Sequence, residues 1–169
     1  MLQMKGLSKK EIEVIAALEF DNKYYFNTDN IASYFKDSEQ IRNTLYRLRK
    51  KGRIVRLNRN KYFLIPIKAR TGKWTDDPLI ITDEICDGQD YFIGGWYAAH
   101  YWRLTDQIPM QVDVYTTRRQ GKVILLSKRF VFHRTSKKNL GKGVIEKADD
   151  HPFRILSYDE TKKWMKSKK

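Results

Sequence analysis

Around Gly52 the hydrophobic period of the chain changes from that of a helix to that of a strand, and this change constrains the fold more than any other feature. Asp37-Ser38 supplies a helix cap, and Ile41, Leu45 and Leu48 recur at i, i+4 and i+7, so all three fall on one stripe. Gly52 is well placed to end that helix. Directly after it, Arg53–Leu57 and Lys61–Ile65 read as two short apolar-rich strands. They are joined by Asn58-Arg59-Asn60, where asparagine tolerates the left-handed conformations of a tight turn.

Upstream, Ser8-Lys9-Lys10-Glu11 forms a capping box, and Ile12, Ile15, Ala16 and Leu18 follow at roughly helical spacing, which predicts a helix over 9–20. Lys23–Phe26 reads as a short extended piece. Thr28 or Asp29 then caps a second, short helix carrying Ile31, Ala32, Tyr34 and Phe35. Three helices, the third followed by a two-stranded ribbon, predict a winged helix-turn-helix domain over residues 1–68.

Residues 69–78 have turn composition and no period, so a linker is expected there. Residues 79–169 predict a small mixed α+β domain, and the fold class as a whole is α+β. Leu79-Ile80-Ile81 reads as a brief strand or turn, and Tyr91–Leu104 as a helix opening at Gly94-Gly95 and apolar nearly all round. Met110–Thr117, Lys122–Leu126 and Arg129–His133 alternate as strands do. Leu140–Gly143 breaks the chain, Phe153–Leu156 gives a last strand, and Ser157 or Asp159 caps a short helix through Trp164, with the lysine-rich end frayed.

Charge decides what such a pair of domains is for. The chain carries a net charge of +14, which favours polyanionic partners. Between Gln40 and Lys68 there are ten Lys and Arg and no Asp or Glu. The core stripe orients the third helix, and opposite it lie Asn43, Tyr46, Arg47 and Lys50, with Gln40 at the edge. Such side chains suit base edges in the major groove of double-stranded DNA. Arg42, Lys51, Arg53, Arg56 and Lys61 would neutralise phosphates, and Asn58, Arg59 and Asn60 at the ribbon tip would reach the backbone or minor groove. Many winged helices bind proteins instead, but here the acid-free stretch coincides with the helix and ribbon that would touch a duplex.

Other chemistries find little support. Cys86 is the only cysteine, so neither an internal disulfide nor a cysteine-built metal site is available. His100, His133 and His151 lack metal-ligand spacing, and Gly94-Gly95 is too short for a phosphate loop. The aromatic cluster Tyr91, Phe92, Trp96, Tyr97, Tyr101 and Trp102 reads as core before it reads as a base-stacking platform. No cofactor, no metal and no enzymatic activity are expected. The alternative is a metal-dependent nuclease or nucleic-acid-modifying protein, with Asp83-Glu84 and Asp149-Asp150 holding the ion beside Lys147. No apolar run approaches the roughly 18 residues of a membrane span, and no signal peptide opens the chain, so a cytoplasmic protein is expected. Nothing advertises a large apolar interface, so a monomer or weak dimer is expected.

The order of parts resembles the AbiEi-type antitoxins of type IV toxin-antitoxin systems and related transcriptional regulators. The likeness is carried by the winged helix with its Tyr62-Phe63 exit strand, by Tyr91-Phe92-Ile93-Gly94-Gly95-Trp96-Tyr97-Ala98-Ala99-His100-Tyr101-Trp102, and by Val112–Thr117 and Phe130–His133. The resemblance implies a repressor that binds inverted repeats in its own promoter. It also implies a nucleotidyltransferase toxin counteracted without a tight complex, a role assigned to the C-terminal domain. Autoregulation is the better supported of the two, because the sequence runs on only 12 residues past Ser157 where longer family members continue.

Overall fold

The computed structural model describes residues 6–69, 71 and 74–168, and the chain divides into two compact units, 1–74 and 75–169. The division falls inside the expected linker, of which residues 70, 72 and 73 lie outside the described residues. Both helices and sheets are present in quantity, so the fold class is α+β.

In the first unit α1 spans Lys9–Phe20, with Ser8 as its cap and Glu11 completing the capping box. The inward stripe is Glu11, Val14, Ile15 and Leu18, whereas Ile12 is 38% exposed and Ala16 is exposed. The expected helix is therefore rotated. A carboxylate occupies a core position, which a hydrophobic pattern reads as a surface one. Strand β1 (Tyr25–Asn27) leads into a 3₁₀ helix, Thr28–Tyr34, capped by Asn27 instead of Thr28 or Asp29. Asn27 Oδ1 accepts from the Asp29 and Asn30 amides while Asn30 Oδ1 accepts from the Asn27 amide at 2.8 Å.

Helix α2 spans Ser38–Lys50, capped by Asp37, whose carboxylate accepts from the Gln40 amide at 2.9 Å. Strands β2 (Ile54–Arg56) and β3 (Lys61–Leu64) follow, and β3 lies between β1 and β2 in a three-stranded antiparallel sheet. The register pairs Tyr25 with Phe63 and Ile54 with Leu64. Val14, Ile15, Leu18, Phe26, Ile31, Leu45, Leu48 and Leu64 form one core that binds both helices to the sheet. Burying each such side chain contributes about 1.5–3 kcal/mol.

The second unit opens with α3 (Pro78–Cys86), not the expected brief strand or turn. Asp77 caps it, accepting from the Leu79 amide, and Pro78 sits in the first turn where its missing N–H costs nothing. The β-branched run Ile80-Ile81 reads locally as a strand, but it packs as a buried helix face with Leu79, Ile85 and Cys86. Burial pushes the Cys86 thiol up to about 12, so it is an inert core residue.

The expected helix over Tyr91–Leu104 is two elements, strand β4 (Tyr91–Gly94) and α4 (Gly95–Tyr101). All four residues of β4 are buried, so the strand lacks the alternation that would reveal it. Gly95, at φ +62°, turns the chain from strand to helix. Strands β5 (Val112–Thr116), β6 (Gly121–Leu125) and β7 (Lys128–Arg134) fall where expected. Beyond a short helix α5 (Lys137–Leu140), the stretch from Gly143 to Ala148 forms strand β8, which the sequence reading missed. Strand β9 (His151–Leu156) and α6 (Tyr158–Lys166), capped by Ser157, complete the unit.

The six-stranded mixed sheet has the order β6-β7-β5-β4-β9-β8. One face carries the buried Ile93, Val114, Phe130 and Phe132. On the other, Phe92, Tyr115 and His133 stack in a row across β4, β5 and β7, with ring centroids 5.1 and 4.8 Å apart. The Trp102 indole donates to the Leu156 carbonyl at 2.8 Å, and Trp96 meets Trp164 edge-on, so α4 and α6 pack together.

Candidate nucleic-acid interface

Helix α2 turns Ile41, Thr44, Leu45 and Leu48 inward, which leaves Arg42, Asn43, Tyr46, Arg49 and Lys50 exposed. Tyr46 is 58% exposed, and the Lys50 ammonium stands 5.2 Å from its ring centroid, so the two form one aromatic-cationic ridge along the outer face. Gln40 is exposed at the N-terminal end, where its Oε1 accepts from the Lys36 amide at 3.4 Å.

Arg47 is also exposed, but it is engaged within the fold. Its Nε lies 3.2 Å from Glu11 Oε1 and its Nη2 donates to the Thr44 hydroxyl. Lys51 Nζ approaches Glu11 Oε2 at 2.7 Å and also meets the Gly6 carbonyl. Glu11 itself is fully buried and accepts from the Ser8 amide at 2.6 Å. Two of the expected DNA contacts thus neutralise a core carboxylate and tie α2 to the start of α1. The sequence marks Glu11 as a capping-box acid and nothing more. Its cationic partners lie 36 and 40 residues away, a distance no local pattern spans.

The β2–β3 hairpin divides in the same way. Arg53 is half-buried and donates to the Ile65 carbonyl at 3.0 Å, while its Nε is buried without a partner among the described residues, so this guanidinium pins the hairpin base. Arg56 donates to the Asn58 and Arg59 carbonyls, and Asn58 Oδ1 accepts from the Asn60 and Lys61 amides at 2.9 Å. Arg56 and Asn58 therefore shape the tip, leaving Arg59 and Asn60 exposed on it and Lys61 half-buried beside it.

The residues of the nuclease alternative are answered inside the second unit. Asp83 accepts from the buried Tyr91 hydroxyl at 2.7 Å, and His151 Nε2 lies 2.9 Å from its other oxygen. Burial and the Asp83 hydrogen bond push the Tyr91 pKa well above the ordinary tyrosine value. Asp149 and Asp150 stand exposed in the β8–β9 turn, both with positive φ. Among the described residues no three His, Cys, Asp or Glu side chains are grouped to hold a metal ion. A cavity of about 430 Å³ opens beside α6, lined by Phe92, Tyr115, Lys142, Glu160 and Trp164. Glu160 already meets Lys163 at 2.7 Å and Lys142 at 3.6 Å, and the Lys163 hydrogen bond holds its carboxyl below the usual range. No helix among the described residues is long and apolar enough to cross a membrane.

No protein-family model and no curated sequence matches this chain. Among solved structures, the fold is similar to that of the RV2827C protein from Mycobacterium tuberculosis, with a TM-score of 0.53 and 15% identity. The match covers 76% of this chain and 46% of that one, so this chain spans less than half of that protein's length. At that identity the likeness concerns the fold alone.

Proposed function

We propose that the first unit acts as a winged helix-turn-helix that reads double-stranded DNA, and that the chain is a sequence-specific transcriptional regulator, an autorepressor of the AbiEi kind without catalytic activity. One observation carries this reading. The outward face of α2 gathers Arg42, Asn43, Tyr46 and Lys50 with no acid in the stretch that follows, while the exposed Arg47 and Lys51 are paired with Glu11 and Arg53 is half-buried. An exposed helix face of amide, phenol and cations matches the donor and acceptor pattern of the major groove, and Arg59 at the ribbon tip supplies a phosphate contact. Inverted repeats in the protein's own promoter are the proposed target. Counteraction of a nucleotidyltransferase toxin without a tight complex rests on the family resemblance alone.

The test is an electrophoretic shift on the DNA upstream of the protein's own gene against an unrelated duplex of equal length. Asn43→Ala should cost about 1–3 kcal/mol on the specific site and little on the unrelated one. Arg59→Ala should weaken both alike. Equal affinity of the wild type for the two duplexes would remove the sequence-specific reading, and no shift at low salt would remove DNA binding altogether.

A further inference from the structure

DNA reading by the first unit leaves the cavity of about 430 Å³ beside α6 without a role, and the lining of that cavity divides by chemistry. One part is apolar and flat. Phe92 on β4 and Tyr115 on β5 stand with their rings 9° from parallel and 5.1 Å apart, Leu156 is buried at the end of β9, and Trp164 comes from α6. The other part is charged. Lys142 and Lys163 converge on Glu160, at 3.6 and 2.7 Å.

Anchoring α6 does not require this charged group. The Ser157 hydroxyl caps the helix, the buried Thr161 hydroxyl donates to the Ser157 carbonyl at 2.8 Å, and Trp164 meets Trp96 edge-on at 5.2 Å. An exposed pair such as Lys163 with Glu160 adds little to stability. The lining also holds more donors than the fold uses. Among the described residues neither the Tyr115 hydroxyl nor the Trp164 indole N–H has a hydrogen-bond partner. Each lysine ammonium has three N–H groups, so it can hold Glu160 and donate to a second acceptor. Two lysines against one glutamate leave the lining with one net positive charge.

We propose that this cavity is a binding site for a small planar aromatic monocarboxylate, its ring against Phe92, Tyr115 and Trp164 and its carboxylate shared by Lys142 and Lys163. Aromatic walls favour a flat ring over an aliphatic one, because the ring quadrupoles add to what burial of area gives. The donor excess selects an acceptor-only group, which a carboxylate is and an amine or guanidine is not. Charge then chooses among anions: one negative charge matches the lining, whereas a phosphate monoester, at close to two, exceeds it. The volume lies within the roughly 300–1,000 Å³ of small-molecule clefts and admits one or two fused rings.

The experiment titrates the full chain by calorimetry with naphthoate, with naphthamide, which keeps the rings and loses the charge, and with cyclohexanecarboxylate, which keeps the charge and loses the flat ring. Naphthoate should bind one saturable site with a Kd of about 1 mM or tighter, and the other two about fivefold more weakly or less. Lys142→Gln/Lys163→Gln should weaken naphthoate about fivefold and leave naphthamide unchanged. Glu160→Gln removes the one opposing charge and should tighten naphthoate about threefold, again without effect on naphthamide. A gain in affinity cannot come from a damaged fold, so this variant keeps the proposal open to refutation if the lysine variant unfolds. No saturable naphthoate binding, equal affinity for naphthamide or cyclohexanecarboxylate, or indifference to Glu160→Gln would each overturn it. Tighter binding of naphthyl phosphate than of naphthoate would overturn it too, assigning the cavity to phosphate esters. None of these outcomes bears on DNA binding by the first unit.

Discussion

Replacing Arg47 and Lys51 together with methionine is expected to destabilise the first unit by about 3–5 kcal/mol at neutral pH, because a fully buried Glu11 carboxylate is then left without a counter-charge. Either substitution alone should cost about 1 kcal/mol, since one cation still faces the carboxylate. The two single effects therefore fall short of the double, and a double-mutant cycle in urea measures the difference. Glu11→Gln should be milder than the double variant. The amide oxygen can still accept from Ser8, and the side chains of Arg47 and Lys51, 51% and 33% exposed, can turn to water.

The pH dependence gives this arrangement a second signature. Burial pushes the Glu11 pKa up, but hydrogen bonds from Lys51 and Ser8, the Lys51 charge and the Arg47 hydrogen bond outweigh it, and the net shift is downward. A carboxyl whose folded pKa is depressed adds stability that is present above its unfolded pKa of about 4.3 and lost as pH falls through the folded value. In the double variant burial, the largest influence, is opposed only by the Ser8 amide hydrogen bond, so the folded pKa rises and the sign inverts: the penalty is present at neutral pH and relieved by acid. The gap between wild type and double variant should narrow from about pH 7 to about pH 4. Urea titrations at both values check it, and a constant gap would show that Glu11 titrates alike in both proteins, so that the two cations do not hold its charge.

Gly95→Ala is expected to destabilise the second unit by about 2–5 kcal/mol, combining two costs. A left-handed φ, +62° here, costs a residue with a Cβ about 1–2 kcal/mol. Overpacking adds about 1–3 kcal/mol, because the new Cβ would stand 2.8 Å from Asp113 Oδ2 and 3.2 Å from Asp113 Cβ and Cγ. Asp113 is not free to withdraw, since its Oδ1 accepts from Gln111 at 3.1 Å and lies 2.8 Å from His133 Nε2. The double variant Gly95→Ala/Asp113→Ala removes Cγ and both oxygens, so it should recover the steric part and keep the backbone part. Chemical denaturation of a double-mutant cycle that includes Asp113→Ala alone decides it: strictly additive effects would show that the clash is not the cause.

Sequence reasoning succeeded mostly where the deciding interaction is local. The Ser8–Glu11 capping box, the Asp37 cap, the Ile41–Leu45–Leu48 stripe and the Asn-rich turn act within a few residues, so α1, α2 and the β2–β3 hairpin are legible in the chain. It failed where burial on both faces erased the alternation, at β4, and where a β-branched run entered a helix, at α3. It also rotated α1, since a carboxylate in a core position looks like surface until its partners are known.

The sequence by itself determined that positive charge concentrates on one helix and its hairpin, because composition along a chain does not depend on how it folds. Only the tertiary structure decided which of those charges remain available. Arg47 and Lys51 are paired with Glu11, and Arg53 and Arg56 donate to backbone carbonyls, while Arg42, Asn43, Tyr46, Lys50 and Arg59 stand exposed. The reason is electrostatic: a carboxylate taken out of water draws to itself whichever cations the fold brings within reach, and reach is set by the packing of α1 against α2.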